Sequence, residues 1–168
     1  ADIAQFGVNP TSGTTGVGIN MNGATNNGAN NQIVGAVEVT SARPVSFFLG
    51  NSSGTVNGTL TLAGVTVNSI SNVILRNAGA QPMTIRNTQG SSGTQTMGLA
   101  LGNATENVIS IDGGGPLTIS SIISGTGRHL TLRTAAFDGN NPLTLTAANT
   151  YSGTTKIESG MLSLIGTA

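Results

Sequence analysis

The sequence predicts an all-β protein: a parallel β-helix (β-solenoid) with three short strands per coil. Three observations predict it. Apolar–hydroxyl alternations such as Leu143-Thr144-Leu145 recur along the chain, and a period of two marks a strand with one buried face. Gly, Asn and Ser separate these runs, and no stretch carries a helical period. The segment 139–166 reads as strand, corner, strand, turn, strand, which is what one coil of a solenoid needs.

Composition narrows the classes. With 168 residues the chain is long enough for one domain with a core, and no linker divides 1–168. Charged residues are 7%, against roughly 25% in ordinary globular proteins. Apolar residues reach 37% and fall in short alternating runs, so the low charge does not indicate disorder. Net charge is zero, which argues against a nucleic-acid partner, since that needs a basic footprint. So few charges also leave the surface poorly protected against association. There is no Cys, which excludes disulfides and thiol chemistry. No run approaches the roughly 18 apolar residues of a membrane span. The chain starts at Ala1 and shows no signal peptide; a removed leader or a fragment would both account for that.

The elements follow in order. Ile3 to Phe6 is a first strand, ended by Asn9-Pro10, and Thr11 to Gly16 is a loop. Val17, Ile19 and Met21 alternate with Gly18, Asn20 and Asn22, as a half-buried strand does. Gly23 to Asn31 is a corner, where Gly and Asn tolerate left-handed backbone. Ile33 to Thr40 is the next strand, with Ile33, Val37 and Val39 on one face.

A Pro motif then recurs. Pro44-Val45-Ser46-Phe47, Pro82-Met83-Thr84-Ile85, Pro116-Leu117-Thr118-Ile119 and Pro142-Leu143-Thr144-Leu145 share the order Pro, apolar, hydroxyl, apolar. Gly79, Gly113 and Gly139 stand three residues before the last three. Pro suits the first position of a strand, where no ladder donor is needed. The apolar pair points inward and the hydroxyl outward. Leu60-Thr61-Leu62 and Leu130-Thr131-Leu132 share the motif's core without Pro. Val65/Val67, Val73/Leu75, Leu99/Leu101, Ile109/Ile111 and Ile122 fill the remaining strands. At about 20–30 residues per coil the chain makes roughly six to eight coils. An antiparallel β-sandwich also suits short strands at this spacing, but it gives no reason for the Pro motif to recur.

The segment Asn149-Thr150-Tyr151-Ser152-Gly153-Thr154-Thr155, with Ile157 and then Ser159-Gly160-Met161-Leu162-Ser163-Leu164, resembles the autotransporter-associated β-strand repeat. It departs from that pattern at Ala148, at Met161 and in the single Gly after Ser152. The resemblance covers 139–166. It implies a right-handed parallel β-helix of the kind found in passenger-type secreted bacterial surface proteins. It therefore implies a secreted, extracellular or cell-surface location.

Candidate chemistry is sparse. His129 is the single His, flanked by Arg128 and Arg133, and reads as a corner residue. Asp112-Gly113-Gly114-Gly115 lacks the repeated Asp of a calcium roll and the Lys-Ser/Thr of a phosphate loop, so it reads as a tight corner. The acids Asp2, Glu38, Glu106, Asp112, Asp138 and Glu158 are scattered, although stacking can bring distant ones together. Carbohydrate-cleaving β-helix enzymes need clustered acids with Arg or Lys beside them, and here no two acids lie close in sequence. Tyr151 reads as corner packing rather than a sugar platform. Asn51, Asn57 and Asn103 open Asn-x-Ser/Thr triplets of the kind expected by chance in such a chain. We assign no catalytic residue, no cofactor and no metal, and expect no enzyme.

A solenoid coil cannot bury its core face alone, so end coils need caps. The stretch after Leu162 offers none, and neither does the N-terminus. Ile3, Phe6, Leu162, Leu164 and Ile165 are therefore the candidate self-association residues. The expected partner is another copy in a head-to-tail homopolymer, a filament or surface fibre, with no membrane span. The alternative is a passenger-type module of a larger surface adhesin that binds a host or surface polysaccharide.

Overall fold

A computed structural model describes residues 3–6, 15–19, 30–49, 57–87, 96–135 and 141–166. Met21, the corner at 23–29, Gly139, Asp2, Asp138 and the Asn51 triplet lie outside the described residues, as does the part of the first loop at 11–14. All regular structure among the described residues is β.

The strands visit three sheets in turn. β1 (Ile3–Phe6), β2 (Thr15–Ile19) and β3 (Asn30–Val34) open the first, second and third sheets. β4 (Ala36–Val39), β5 (Val45–Leu49) and β6 (Asn57–Leu62) pair with them in the same order, all parallel. After the short β7 (Val65–Val67), the order repeats with β8 (Ile70–Asn77), β9 (Met83–Asn87) and β10 (Thr96–Leu101). It repeats again with β11 (Asn107–Ile111), β12 (Leu117–Ile119) and β13 (Ile123–Ser124). β14 (Leu130–Thr134) and β16 (Thr155–Ile157) extend the first sheet, and β15 (Leu143–Leu145) and β17 (Leu162–Leu164) the second. Parallel sheets entered in this order are consistent with a β-solenoid.

The Pro motif is one sheet. Val45, Met83, Leu117, Leu143 and Leu162 are Cα partners in sequence along the second sheet. The hydroxyls Ser46, Thr84, Thr118, Thr144 and Ser163 form the neighbouring column. The carbonyls of the last three Pro accept the N–H of the residue after the preceding Pro: Val45 donates to Pro82, Met83 to Pro116 and Leu117 to Pro142. Met161 takes the Pro place in the last strand and accepts from Leu143. Pro lacks only the donor, so its free carbonyl serves this ladder at no loss.

The core joins all three sheets. Val37, Leu75, Ile109 and Leu132 form the inward column of the first sheet, and Phe47, Ile85, Ile119 and Leu145 that of the second. Leu60, Leu99 and Ile123 contribute from the third. Each such side chain, fully buried, stabilises by roughly 1.5–3 kcal/mol. Among the described residues this core runs without a break from Val37 to Leu145.

Several expectations need correction. Ile33 to Thr40 is not one strand: the chain bends at Gly35, and Ile33 on β3 is 74% exposed. Ile33 pairs with Thr61, in the outward column of the third sheet. Ile122 is outside β13 and exposed, and Ile123 takes the core position. Leu60-Thr61-Leu62 and Leu130-Thr131-Leu132, which share the motif's core without Pro, lie in the third and first sheets; in the second of them the hydroxyl does not face solvent. Thr131 is buried, its hydroxyl donating to Glu106 at 2.7 Å. The segment 139–166 does not give one strand to each sheet: the Asn149 corner meets the third, and Leu143 and Leu162 are Cα partners within the second. Its strands β15, β16 and β17 lie in the second, first and second sheets.

β7 is the exception to parallel pairing. It runs antiparallel to β8 through Asn68 and Ser69, both at positive φ (47° and 64°). That pair of conformations makes a tight hairpin turn, and Asn suits its first position. Val67, Val73 and Val108 pack with Val65 and Ile70 in a second cluster, separate from the main core. Val108 neighbours the core residue Ile109, so the hairpin covers the opposite face of the first sheet.

Corner glycines answer to crowding more than to left-handed backbone. A Cβ on Gly115 would sit 2.0 Å from the Gln81 carbonyl oxygen, and one on Gly153 2.0 Å from that of Arg128. Gly127 does the opposite, with φ +66° and open space around it. Asn side chains close the same corners. Asn77 is fully buried; its amide donates to the Gly115 and Gln81 carbonyls at 2.8 and 3.0 Å and accepts from Gly79 N–H at 3.2 Å. Asn107 donates to the carbonyls of Asn103 and His129, both at 3.0 Å.

Candidate self-association surface

The first and second sheets end, among the described residues, at β16 and β17. Their inward columns end there too. Leu132 and Leu145 are 1% exposed, while their partners Ile157 and Leu164 are 50% and 70% exposed. Covering such a column is what each preceding strand does for its neighbour. The change from 1% to half or more therefore falls at the last described strand of each of these two sheets.

The five residues singled out from sequence do not form one patch. Ile3 is on β1, at the other edge of the first sheet, and is exposed. Phe6 lies on the same strand, at the register position of Val39. Leu162, Leu164 and Ile165 lie together on and after β17. Leu164 and Ile165 are exposed, whereas Leu162 is half-buried and packs against the core. Sequence reasoning missed Ile157 and Met161, which are exposed at the same end. Thr155 and Ile157 alternate with Lys156 as a half-buried strand does. What that pattern could not show is that nothing described follows β16 in the first sheet.

Among the described residues the third sheet has four strands against six along the path of each of the other two, so it ends two layers sooner. Its edge strand β13 is met by a corner instead of a strand. Asn149 Oδ1 accepts Ile123 N–H at 2.8 Å, and Thr150 N–H donates to the Ile123 carbonyl at 2.8 Å. Above this corner lies an open cleft of about 540 Å³ whose lining includes Leu145, Ala148, Asn149, Tyr151, Thr155 and Leu164. Tyr151 packs against the core edge, and its hydroxyl meets that of Thr155 at 2.6 Å. This accords with the corner-packing role.

The other candidate residues serve cohesion. His129 Nδ1 accepts the Thr154 N–H at 3.0 Å and lies 2.8 Å from the Thr154 hydroxyl, tying neighbouring layers together. Stacking does bring acids together: Glu38 and Asp112 both pair with Arg76 on the first sheet. Burial by itself would lower the Arg76 pKa; the hydrogen bonds to Asp112 and Glu38 outweigh it and hold the guanidinium above its ordinary value. Ser110 donates to Asp112 at 2.6 Å. Both carboxylates are thus engaged with the one guanidinium of Arg76. Further along, Glu158 accepts from Lys156 at 2.6 Å and pairs with Arg133 at 3.1 Å. The Lys156 hydrogen bond holds the Glu158 carboxyl below the ordinary range. Gly113 and Gly115 sit against the Ala78 and Gln81 backbone, so the Asp-Gly-Gly-Gly run is a crowded corner. The Asn103 carboxamide is occupied by Asn72 and Thr105. Among the described residues no three His, Asp or Glu side chains gather as a metal site, and no helix is long and apolar enough to cross a membrane. Compared with protein-family models, with curated proteins and with solved structures, the chain matches none.

Proposed function

We propose that the three sheets close into a three-sided parallel β-helix, and that this chain is an extracellular structural protein. Its end faces accept a further coil, so that copies stack into a filament or surface fibre. The observation that carries this reading is the step in exposure from Leu132 and Leu145 to Ile157 and Leu164. A contact between two different faces of one chain does not close on itself and propagates as a fibre. The sparse charge, the lack of Cys and the resemblance of 139–166 to a secreted-protein repeat support the location.

Sedimentation and negative-stain electron microscopy of the purified chain test the reading. Concentration-dependent rods longer than one chain are expected, and Leu164→Asp together with Ile157→Asp should return the chain to folded monomers. Dispersed monomers of the unaltered chain at high concentration would remove the filament. They would favour the alternative, a module of a larger adhesin whose next coil comes from the same polypeptide. That alternative is favoured by the repeat-like segment itself, and binding to a panel of surface polysaccharides would test it.

A further inference from the structure

We infer that two copies join head to tail in one register, with β16 and β17 of one copy pairing parallel to β1 and β2 of the next. This rests on the proposed end-to-end assembly and specifies its geometry. Three observations carry it. First, direction: every pair along the three sheet paths is parallel. Continuing those sheets therefore requires an N-terminal edge to meet a C-terminal edge, because two like edges would run antiparallel. Second, the columns are defined. Ala4, Val37, Leu75, Ile109, Leu132 and Ile157 share one column, and Val17, Phe47, Ile85, Ile119, Leu145 and Leu164 another. Keeping both columns unbroken sets Ile157 over Ala4 and Leu164 over Val17, with Ser163 over Gly16.

Third, charge agrees with that register. The exposed Ile157 and Leu164 then continue the columns that Ala4 and Val17 begin. Lys156 faces Ile3, and Glu158 falls in the column of Gln5. No like charges are opposed. The incoming β3 follows β2 toward the third sheet, where the cleft beside Tyr151 leaves space above the Asn149 corner.

The chain has no Cys, so engineered cross-links read out the register without background. Two single variants, Ile3→Cys and Lys156→Cys, are mixed and mildly oxidised, then run on a non-reducing gel. In the inferred register their Cα atoms lie about 4.8 Å apart, inside the disulfide range of about 4.4–6.8 Å. Ile3→Cys mixed with Glu158→Cys is the control, since a shift of two residues adds about 6.6 Å along the strand. The expected result is a mixed dimer at least about tenfold stronger for Ile3/Lys156 than for Ile3/Glu158. Assembly seen by sedimentation with no Ile3/Lys156 cross-link, or with the Ile3/Glu158 product dominant, overturns the register and leaves end-to-end assembly standing. Dimers within each single variant would show like ends meeting and overturn the direction. Absence of any assembly overturns both the register and the reading beneath it.

Discussion

Asn77 offers the sharpest test of how neighbouring layers hold together. Its carboxamide satisfies two carbonyls and one N–H, and the residue itself has no solvent exposure. Asn77→Ala leaves the Gln81 and Gly115 carbonyls and the Gly79 N–H without that partner. A buried polar group left unsatisfied costs about 1–3 kcal/mol, so even the low end for three groups is ~3 kcal/mol. Against a whole-domain stability of about 5–15 kcal/mol that is a large share. Asn77→Asp should be worse than Ala at neutral pH, because it aims a carboxylate at two carbonyl oxygens. It should recover in part on acidification, when a protonated carboxyl regains one donor. Urea denaturation followed by circular dichroism reads the midpoint and slope, with Ser71→Ala, at an exposed position of the same strand β8, as the control. An Asn77→Ala stability within about 0.5 kcal/mol of the parent, the range of ordinary surface changes, would refute the corner argument.

The other predictions concern crowding, buried charge and one titration. Gly115→Ala should destabilise by about 1–3 kcal/mol or more through forced backbone movement, and Gly127→Ala by about 1–2 kcal/mol from its left-handed φ alone; equal effects in thermal melts would contradict the distinction. Arg76→Met should cost about 3–5 kcal/mol, because it strands Glu38 and Asp112 together, and adding Glu38→Gln and Asp112→Asn should restore much of the loss in the same denaturation assay. Glu158 should titrate below the ordinary carboxylate range. Any stability it lends is present above the unfolded carboxylate value and fades as pH falls through the lower folded one. Lys156→Met should bring its NMR titration midpoint back up, and no movement would remove Lys156 as the cause.

Strand positions were largely legible because they depend on local pattern. Leu143-Thr144-Leu145 and Leu162-Ser163-Leu164 are strands with inward Leu as the alternation implies. The Pro motif located a whole sheet, since every copy needs the same backbone at the same corner. What misled was a break or an exception inside a good pattern. Ile33, Val37 and Val39 look continuous, yet Gly35 turns the chain into a different sheet. Val65 and Val67 look like any other strand, yet their hairpin folds back on β8. At the candidate surface, Leu164 and Ile165 were legible from their place after the final corner, whereas Ile157 and the cleft beside Tyr151 were not.

The sequence alone determined which residues form most strands, which of their faces are apolar, and that the chain has no thiol. These follow from side-chain size, period and composition, which act within a few residues. Only the tertiary structure decided which sheet each strand enters, why Gly115 must lack a side chain, and that Arg76 holds Glu38 and Asp112. Those depend on partners one layer away along the chain. That separation is 38 residues from Glu38 to Arg76 but 25 from Thr134 to Ser159. Because the loops between layers vary so much, no fixed period in the sequence could reveal which residues would meet.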